Sequence, residues 1–235
     1  MGATHRSGPV LLSGRDLDRE WFVDLPVWGD PDFLVKMDDF DGIAIDLTND
    51  WTQLEDGNAS MAIEADTEGG RLLMSTSAND NEGTSIQGNE IFRVATSRNI
   101  WFETKIQLLD ATNSEYCSGL TINFITDPEA ILASPDRIVF EKLDGNEDII
   151  CITEIGGVET RIDSQRDVVA ATDITLGFRV VGTGLVLFYV DRQLVATVTT
   201  NIPDDENLAL AAYVLAGDAA GTTLAIDYIS GVQSR

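Results

Sequence analysis

Between Thr175 and Thr200 the chain reads TLGFRVVGTGLVLFYVDRQLVATVTT, an apolar–polar alternation broken at short intervals by glycine and aspartate. Phe178 and Val180 alternate with Gly177 and Arg179, and Gly182-Thr183-Gly184 supplies a turn. Leu185 to Val190 is a nearly continuous apolar run, after which Asp191-Arg192-Gln193 reverses the chain into Leu194–Thr199. β-Branched and aromatic residues at period two, bounded by turn formers, predict three strands joined by two turns. A run apolar on both faces, such as LVLFYV, predicts a central strand covered on both sides.

The same punctuation extends from Phe33 to the end. FLVKM and IAIDL flank the acidic turn Asp38–Gly42, and ASMAIEA and RLLMST flank Asp66–Gly70. EIFRVA, IWFETKIQLL, CSGLTINFI, DRIVFEKL, DIICITEI and VETRID follow, and NLALAAYVL and TTLAIDYISGVQ close the chain. That spacing is the one expected of a sandwich or barrel. Phe102, Thr104, Ile106 and Leu108 share one face of their strand and Trp101, Glu103, Lys105 and Gln107 the other, which predicts a core side and an outer side. Only DPEAILAS, Asp127–Ser134, reads as helical, and it supplies roughly two turns. The chain is therefore expected to be all-β, a two-sheet antiparallel sandwich over residues 33–235 preceded by an extended arm over residues 1–32. The arm carries Trp21, Phe22, Trp28 and prolines without a lasting period. Disordered leaders are poor in aromatics, so the arm is expected to dock, on its own domain or on a neighbour.

Composition narrows the functional classes. A chain of 235 residues buries roughly 70% of its extended surface as one domain and needs no staple. No apolar run approaches the ~20 residues of a membrane helix, and the first residues lack the apolar stretch of about 7–15 residues found in a secretory signal. The formal charge of −25 repels phosphate backbones and argues against nucleic acid as a partner. Residues 1–15 hold Arg6 and Arg15 and no acid, a basic tip on an acidic body. Cys117 and Cys151 fall on different predicted strands with no neighbouring Cys or His, and both are expected to stay reduced.

The order W-T-Q-L-E-D-G (51–57), G-G-R-L-L-M (69–74), I-W-F-E-T-K-I (100–106), D-R-I-V-F-E-K (136–142), L-G-F-R-V (176–180), L-V-L-F-Y-V-D (185–191) and A-I-D-Y-I (225–229) resembles the concanavalin A-like lectin and glucanase jelly roll. Across Trp51–Arg235 it is also similar to capsid decoration, or cement, proteins of tailed bacteriophages. The first resemblance implies a test for catalysis. Retaining glycosidases need two carboxylates about 5–5.5 Å apart, and laminarinase-like members carry them on one strand as Glu-x-Asp-x-(x)-Glu, because alternate strand residues share a face. Glu64-Ala65-Asp66-Thr67-Glu68 has that spelling but precedes an early strand. The mid-chain strand has Asp136 on one face with Ile138 and Phe140, and Glu141 on the opposite face. The chain is accordingly expected not to be an enzyme. The resemblance also implies a structural calcium through Asp227 in the last strand, while the acidic turns lack the D-x-[DN]-x-[DN]-G spacing of a calcium loop; no other cofactor is expected.

Two readings remain. In the first, the chain is a non-enzymatic virion structural protein, made in the host cytoplasm and displayed on the capsid exterior as a homo-oligomer. Arg6, Arg15, Trp21, Phe22 and Trp28 of the arm would then anchor it to the major capsid protein or other virion subunits, with no membrane or nucleic acid involved. In the second it is a carbohydrate-binding, lectin-like module. Trp101 would stack a sugar ring there while Glu103, Lys105 and Gln107 bond its hydroxyls.

Overall fold

The computed structural model describes residues 32–235 except 43, 65–69, 123–127 and 129–133. Among them the chain forms sixteen strands and no α-helix, so the all-β expectation is borne out. In chain order these are β1 (Phe33–Asp38), β2 (Thr52–Glu55), β3 (Ser60–Ile63), β4 (Leu72–Ser75), β5 (Gly83–Gln87), β6 (Phe92–Arg93), β7 (Asn99–Leu108) and β8 (Ser114–Thr121). They continue with β9 (Arg137–Lys142), β10 (Asp148–Ile155), β11 (Val158–Asp167), β12 (Asp173–Val181), β13 (Leu185–Val190), β14 (Gln193–Val198), β15 (Asn207–Ala216) and β16 (Thr223–Ser234).

Two antiparallel sheets pack face to face. The back sheet runs β14-β13-β12-β7-β16-β4-β3, with β1 pairing along the second half of β16. The front sheet runs β11-β10-β9-β8-β15-β5-β2, with β6 on the start of β15. Hairpins β8 to β11 build one half of the front sheet, and β12 to β14 build one side of the back sheet. The chain crosses between sheets at β1–β2, β2–β3, β4–β5, β6–β7, β7–β8, β11–β12, β14–β15 and β15–β16, the wiring of a jelly roll.

Period two then sorts the side chains. Phe102, Ile106 and Leu108 of β7 and Leu176, Phe178 and Val180 of β12 point inward, opposite Ile138 and Phe140 of β9. Phe140 enters from the front sheet between Phe178 and Phe188, at ring-centroid distances of 6.3 and 5.3 Å, and Phe178 stacks on Phe102 at 4.8 Å. Each ring contributes about 1.5–3 kcal/mol relative to its exposed state. Gly119 lets two front strands come close: at φ 153°, a Cβ there would lie 2.2 Å from the Ile138 carbonyl oxygen of β9.

Several local expectations shift. Residues 44–47 of IAIDL form no strand, because the Asp46 carboxylate accepts from the backbone N–H of Thr48 and Asn49 at 2.9 and 3.0 Å. Such an Asx turn offers the backbone an alternative to pairing. EIFRVA is extended only at Phe92–Arg93. LVLFYV is not central: β13 lies one strand in from the sheet edge, and its outward Leu187 is only half-buried. DPEAILAS lies almost wholly outside the described residues. Cys117 faces outward from the front sheet and Cys151 inward to the core, so the two free thiols stand on opposite faces and do not pair.

Candidate functional site

Each sheet has an outer face, and the two differ in chemistry. On the front sheet the outward positions of β9 are Arg137, Val139 and Glu141; those of β10 are Ile150, Ile152 and Glu154; and those of β11 are Glu159, Arg161 and Asp163. Register sets Arg137 beside Glu154 and Glu154 beside Glu159, and places Ile152 between Val139 and Arg161. The result is a charged network lying over apolar neighbours. Arg137 Nε donates to Glu154 Oε2 at 2.6 Å, its Nη1 to Glu141 Oε2 at 3.3 Å and its Nη2 to Glu159 Oε2 at 3.3 Å. Arg161 donates to the other oxygen of Glu141 and to Glu159. Glu141, 1% exposed, is thus held at both oxygens by two guanidiniums. Burial works against charge on Arg137, but Cys117, Glu154 and Glu141 more than offset it and raise its pKa.

Beside this network is an apolar floor. Cys117, Val139, Ile152, Ala211, Tyr213 and Leu215, with the half-buried Ile150, form a cluster separate from the main core. Tyr213 of β15 pairs with Cys117 of β8, which pairs with Glu141 of β9, so the three form one row across the sheet. The Tyr213 hydroxyl is buried with no hydrogen-bond partner among the described residues. Burial, with Cys117, Glu115 and Glu141 nearby, drives its pKa well above the ordinary tyrosine value. A hydroxyl and a carboxylate in one row, with two guanidiniums bonded to the carboxylate beside apolar neighbours, is a set of groups of the kind that bonds polyhydroxylated ligands.

The outer face of the back sheet holds the glycan-binding residues expected from sequence. Trp101, Glu103, Lys105 and Gln107 do line up along β7. The Trp101 ring is only 5% exposed, with Arg179 5.5 Å above it and Phe33 6.3 Å away, so its stacking surface is taken by the chain itself. Glu103 accepts from the Tyr228 hydroxyl, and Gln107 donates to the Ala171 carbonyl and to Asp173. Asp227 occupies a bulge in β16 and accepts from Lys105 Nζ at 2.8 Å. Asp227, then Asp173, hold that ammonium above its ordinary pKa despite partial burial. The donors present do not fit a calcium ion, which takes six to eight oxygens: an ammonium occupies this carboxylate, and among the described residues no three ligand-type side chains converge.

Arg6, Arg15, Trp21, Phe22 and Trp28 of the arm lie outside the described residues, as do residues 65–69 of the early acidic segment. Glu64 pairs its backbone N–H with the Arg71 carbonyl and stands 4.0 Å from the Arg71 guanidinium. Sequence reasoning identified Glu141 but searched for its companion on the same strand. The companions, Glu154 and Glu159, come from neighbouring strands. The alternation of DIICITEI shows that Glu154 shares a face with Ile150 and Ile152, but the register that brings it to Arg137 was not legible there.

No family model matches the sequence, and no curated protein does either. Solved structures do. The chain is similar to the catalytic domain of an endo-1,3-beta-glucanase (laminarinase) from Thermotoga petrophila, at 14% identity and a TM-score of 0.60 over 87% of this chain and 99% of that one. It is similar to the Bacillus licheniformis beta-glucanase at 17% identity and a TM-score of 0.58, over 83% and 96% of the two chains. A beta-1,3-1,4-glucanase (lichenase) from a mouse hindgut metagenome matches at 14% identity and a TM-score of 0.58, over 83% and 97%. These likenesses correct the expectation of a chain that is not an enzyme: its sandwich is built as glycosidases are built. That expectation rested on a single-strand carboxylate pair, whereas this sheet gathers carboxylates across strands. The architecture is the concanavalin A-like jelly roll of the glucanases.

Proposed function

We propose that this is a carbohydrate-active domain that engages a β-linked glucan on the outer face of its front sheet. The observation that carries the reading is Glu141, buried at the middle of that face between Arg137 and Arg161 and in one row with the unpartnered Tyr213 hydroxyl. The glucanase fold supports the choice of ligand class. Vicinal sugar hydroxyls donate to a carboxylate and accept from a guanidinium, and the apolar floor of Val139, Ile152 and Ala211 suits the ring's C–H face. Glu141 and Glu154, bonded to the same Arg137, are the carboxylates that would face the glycosidic bond. The virion reading rests on the arm, and no described residue of the sandwich favours it.

Calorimetric titration with laminarin and lichenan, paired with a reducing-end assay, tests this. Saturable binding to one of them is expected, weakened at least tenfold by Glu141→Gln. Release of reducing ends that Glu141→Gln abolishes would extend the reading from binding to cleavage, and no binding to either polymer would overturn it.

A further inference from the structure

At one end of the sandwich two crossovers between the sheets run side by side. The chain leaves β7 through residues 109–113 to reach β8, and leaves β11 through residues 168–172 to reach β12. Backbone hydrogen bonds pin both segments. Leu109 N–H donates to the Thr223 carbonyl at 3.0 Å, and Ala171 N–H to the Leu108 carbonyl and Val168 N–H to the Glu147 carbonyl, each at 2.8 Å. Between them lies a cavity of ≈ 330 Å³, lined by residues 109–112, Glu147 and residues 167–170. That volume is within the range of small-molecule sites, and the walls are preformed.

The lining divides by chemistry. Leu109, Ala111, Val168, Val169 and Ala170 make an aliphatic wall, and Leu109 and Val169 are 54% and 61% exposed, so the wall is open to solvent. The rest is Asp110, Glu147, Asp167 and the Thr112 hydroxyl, with no lysine, arginine or histidine. Asp110 is turned to its own loop, where one oxygen accepts from the Thr112 and Asn113 N–H groups at 2.9 Å. Glu147 accepts from the Thr112 hydroxyl at 2.7 Å through one oxygen. Asp167 stands directly opposite Asp148 across β10 and β11, an opposition of like charges that destabilises a sheet until a cation joins it. Desolvation, then Asp148, raise the Asp167 pKa accordingly. The ammonium of the buried Lys142, which feels Asp110 and Glu147, is bonded to the Thr112 and Leu143 carbonyls.

We propose that this cavity binds a small aliphatic ammonium ion, its alkyl part against the Leu109–Val169 wall and its charged end at Glu147 and Asp167. An ammonium has three N–H donors, and Glu147, Asp167 and the lone pairs of the Thr112 hydroxyl supply acceptors for them. The aliphatic wall selects an organic cation over a bare metal ion, and among the described residues no three ligand-type side chains converge as a metal would require. An anion is repelled, and a neutral ligand leaves the Asp148–Asp167 opposition unrelieved. The cavity shares no residue with the Glu141 face, so neither site depends on the other.

Calorimetric titration of the full chain with n-butylamine hydrochloride at constant ionic strength tests this, with n-butanol as the uncharged match. Saturable binding of butylamine and none of butanol is expected. Glu147→Gln/Asp167→Asn should weaken it about tenfold, the worth of a charge-assisted hydrogen bond, and Leu109→Ser/Val169→Ser about threefold through lost apolar contact. Asp204→Asn/Asp205→Asn removes the same charge from an exposed turn elsewhere and should change nothing. Equal weakening by the two charge-removing variants would reduce the effect to attraction by the −25 chain as a whole and overturn the proposal. Equal binding of butanol, displacement of butylamine by calcium chloride at matched ionic strength, or no binding would overturn it as well. Nα-Acetyl-lysine methylamide is titrated alongside, and whichever amine binds more tightly assigns the site to a free amine or to a lysine side chain.

Discussion

Replacing Arg137 by Met tests the front-face network most sharply. The Arg137 side chain is 5% exposed and touches three carboxylates, of which Glu141 is 1% and Glu154 11% exposed. Arg137→Met preserves the stem's apolar volume and removes the charge. Glu141 keeps Arg161, and Glu159 keeps Arg161 in solvent, but Glu154 loses the cation bonded to it at 2.6 Å. Breaking a buried pair by deleting one partner costs about 3–5 kcal/mol. With one of the two buried carboxylates still compensated, the low end, about 3 kcal/mol, is expected. For a domain of this size that lowers Tm by roughly 6–12 °C. Arg161→Met is the control: its side chain is 33% exposed and its loss leaves Glu141 with Arg137, so about 1 kcal/mol or less is expected. The double variant Arg137→Met/Glu154→Leu removes the stranded carboxylate and is expected to recover most of the loss. Urea unfolding followed by tryptophan fluorescence and circular dichroism gives all three values. Equal losses for Arg137→Met and Arg161→Met, or no recovery in the double variant, would refute the reasoning that burial makes Arg137 dominant.

Other outcomes follow from the same geometry. Lys142, fully buried, donates to the Thr112 and Leu143 carbonyls at 3.2 and 3.1 Å and to Ser114, and burial lowers its pKa to about 8. Below that pH both folded and unfolded chains hold the proton; above it only the unfolded chain does. Unfolding free energy should therefore rise from pH 8 towards 10, by at most about 1.4 kcal/mol per unit, and Lys142→Met should flatten the slope in pH-dependent urea titrations. Phe140→Ala should cost about 3–5 kcal/mol by emptying the space between Phe178 and Phe188, read by thermal melts. Gly119→Ala should cost more than 2 kcal/mol because its methyl meets the Ile138 carbonyl, whereas Gly145→Ala, with open space but φ 72°, should cost about 1 kcal/mol on the same assay.

The strands from Asn99 onward were largely legible because their alternation is long. IWFETKIQLL shows its core face, Phe102, Ile106 and Leu108, and its outer face, Trp101 to Gln107, without reference to any partner strand. IAIDL misled because its apolar spacing is that of a strand, while Asp46 bonds the backbone two and three residues on. Placement of LVLFYV within the sheet was out of reach, since apolar content reports burial and not order among neighbours. The site was half legible. Glu141 stood out on its strand, but the Arg137–Glu154 and Tyr213–Cys117 pairings depend on register across hairpins and across the β14–β15 crossover. Trp101, selected as a sugar platform for its aromatic ring, is capped by Arg179 from a strand far along the chain.

Glucan affinity compared between the two faces tests the central claim most directly. Affinity electrophoresis of the full chain through laminarin and lichenan gels is run with and without Glu141→Gln and Trp101→Ala. Retardation that Glu141→Gln abolishes and Trp101→Ala leaves intact is the predicted result. Retardation lost only with Trp101→Ala, or none in either gel, would contradict a glycan site on the front sheet.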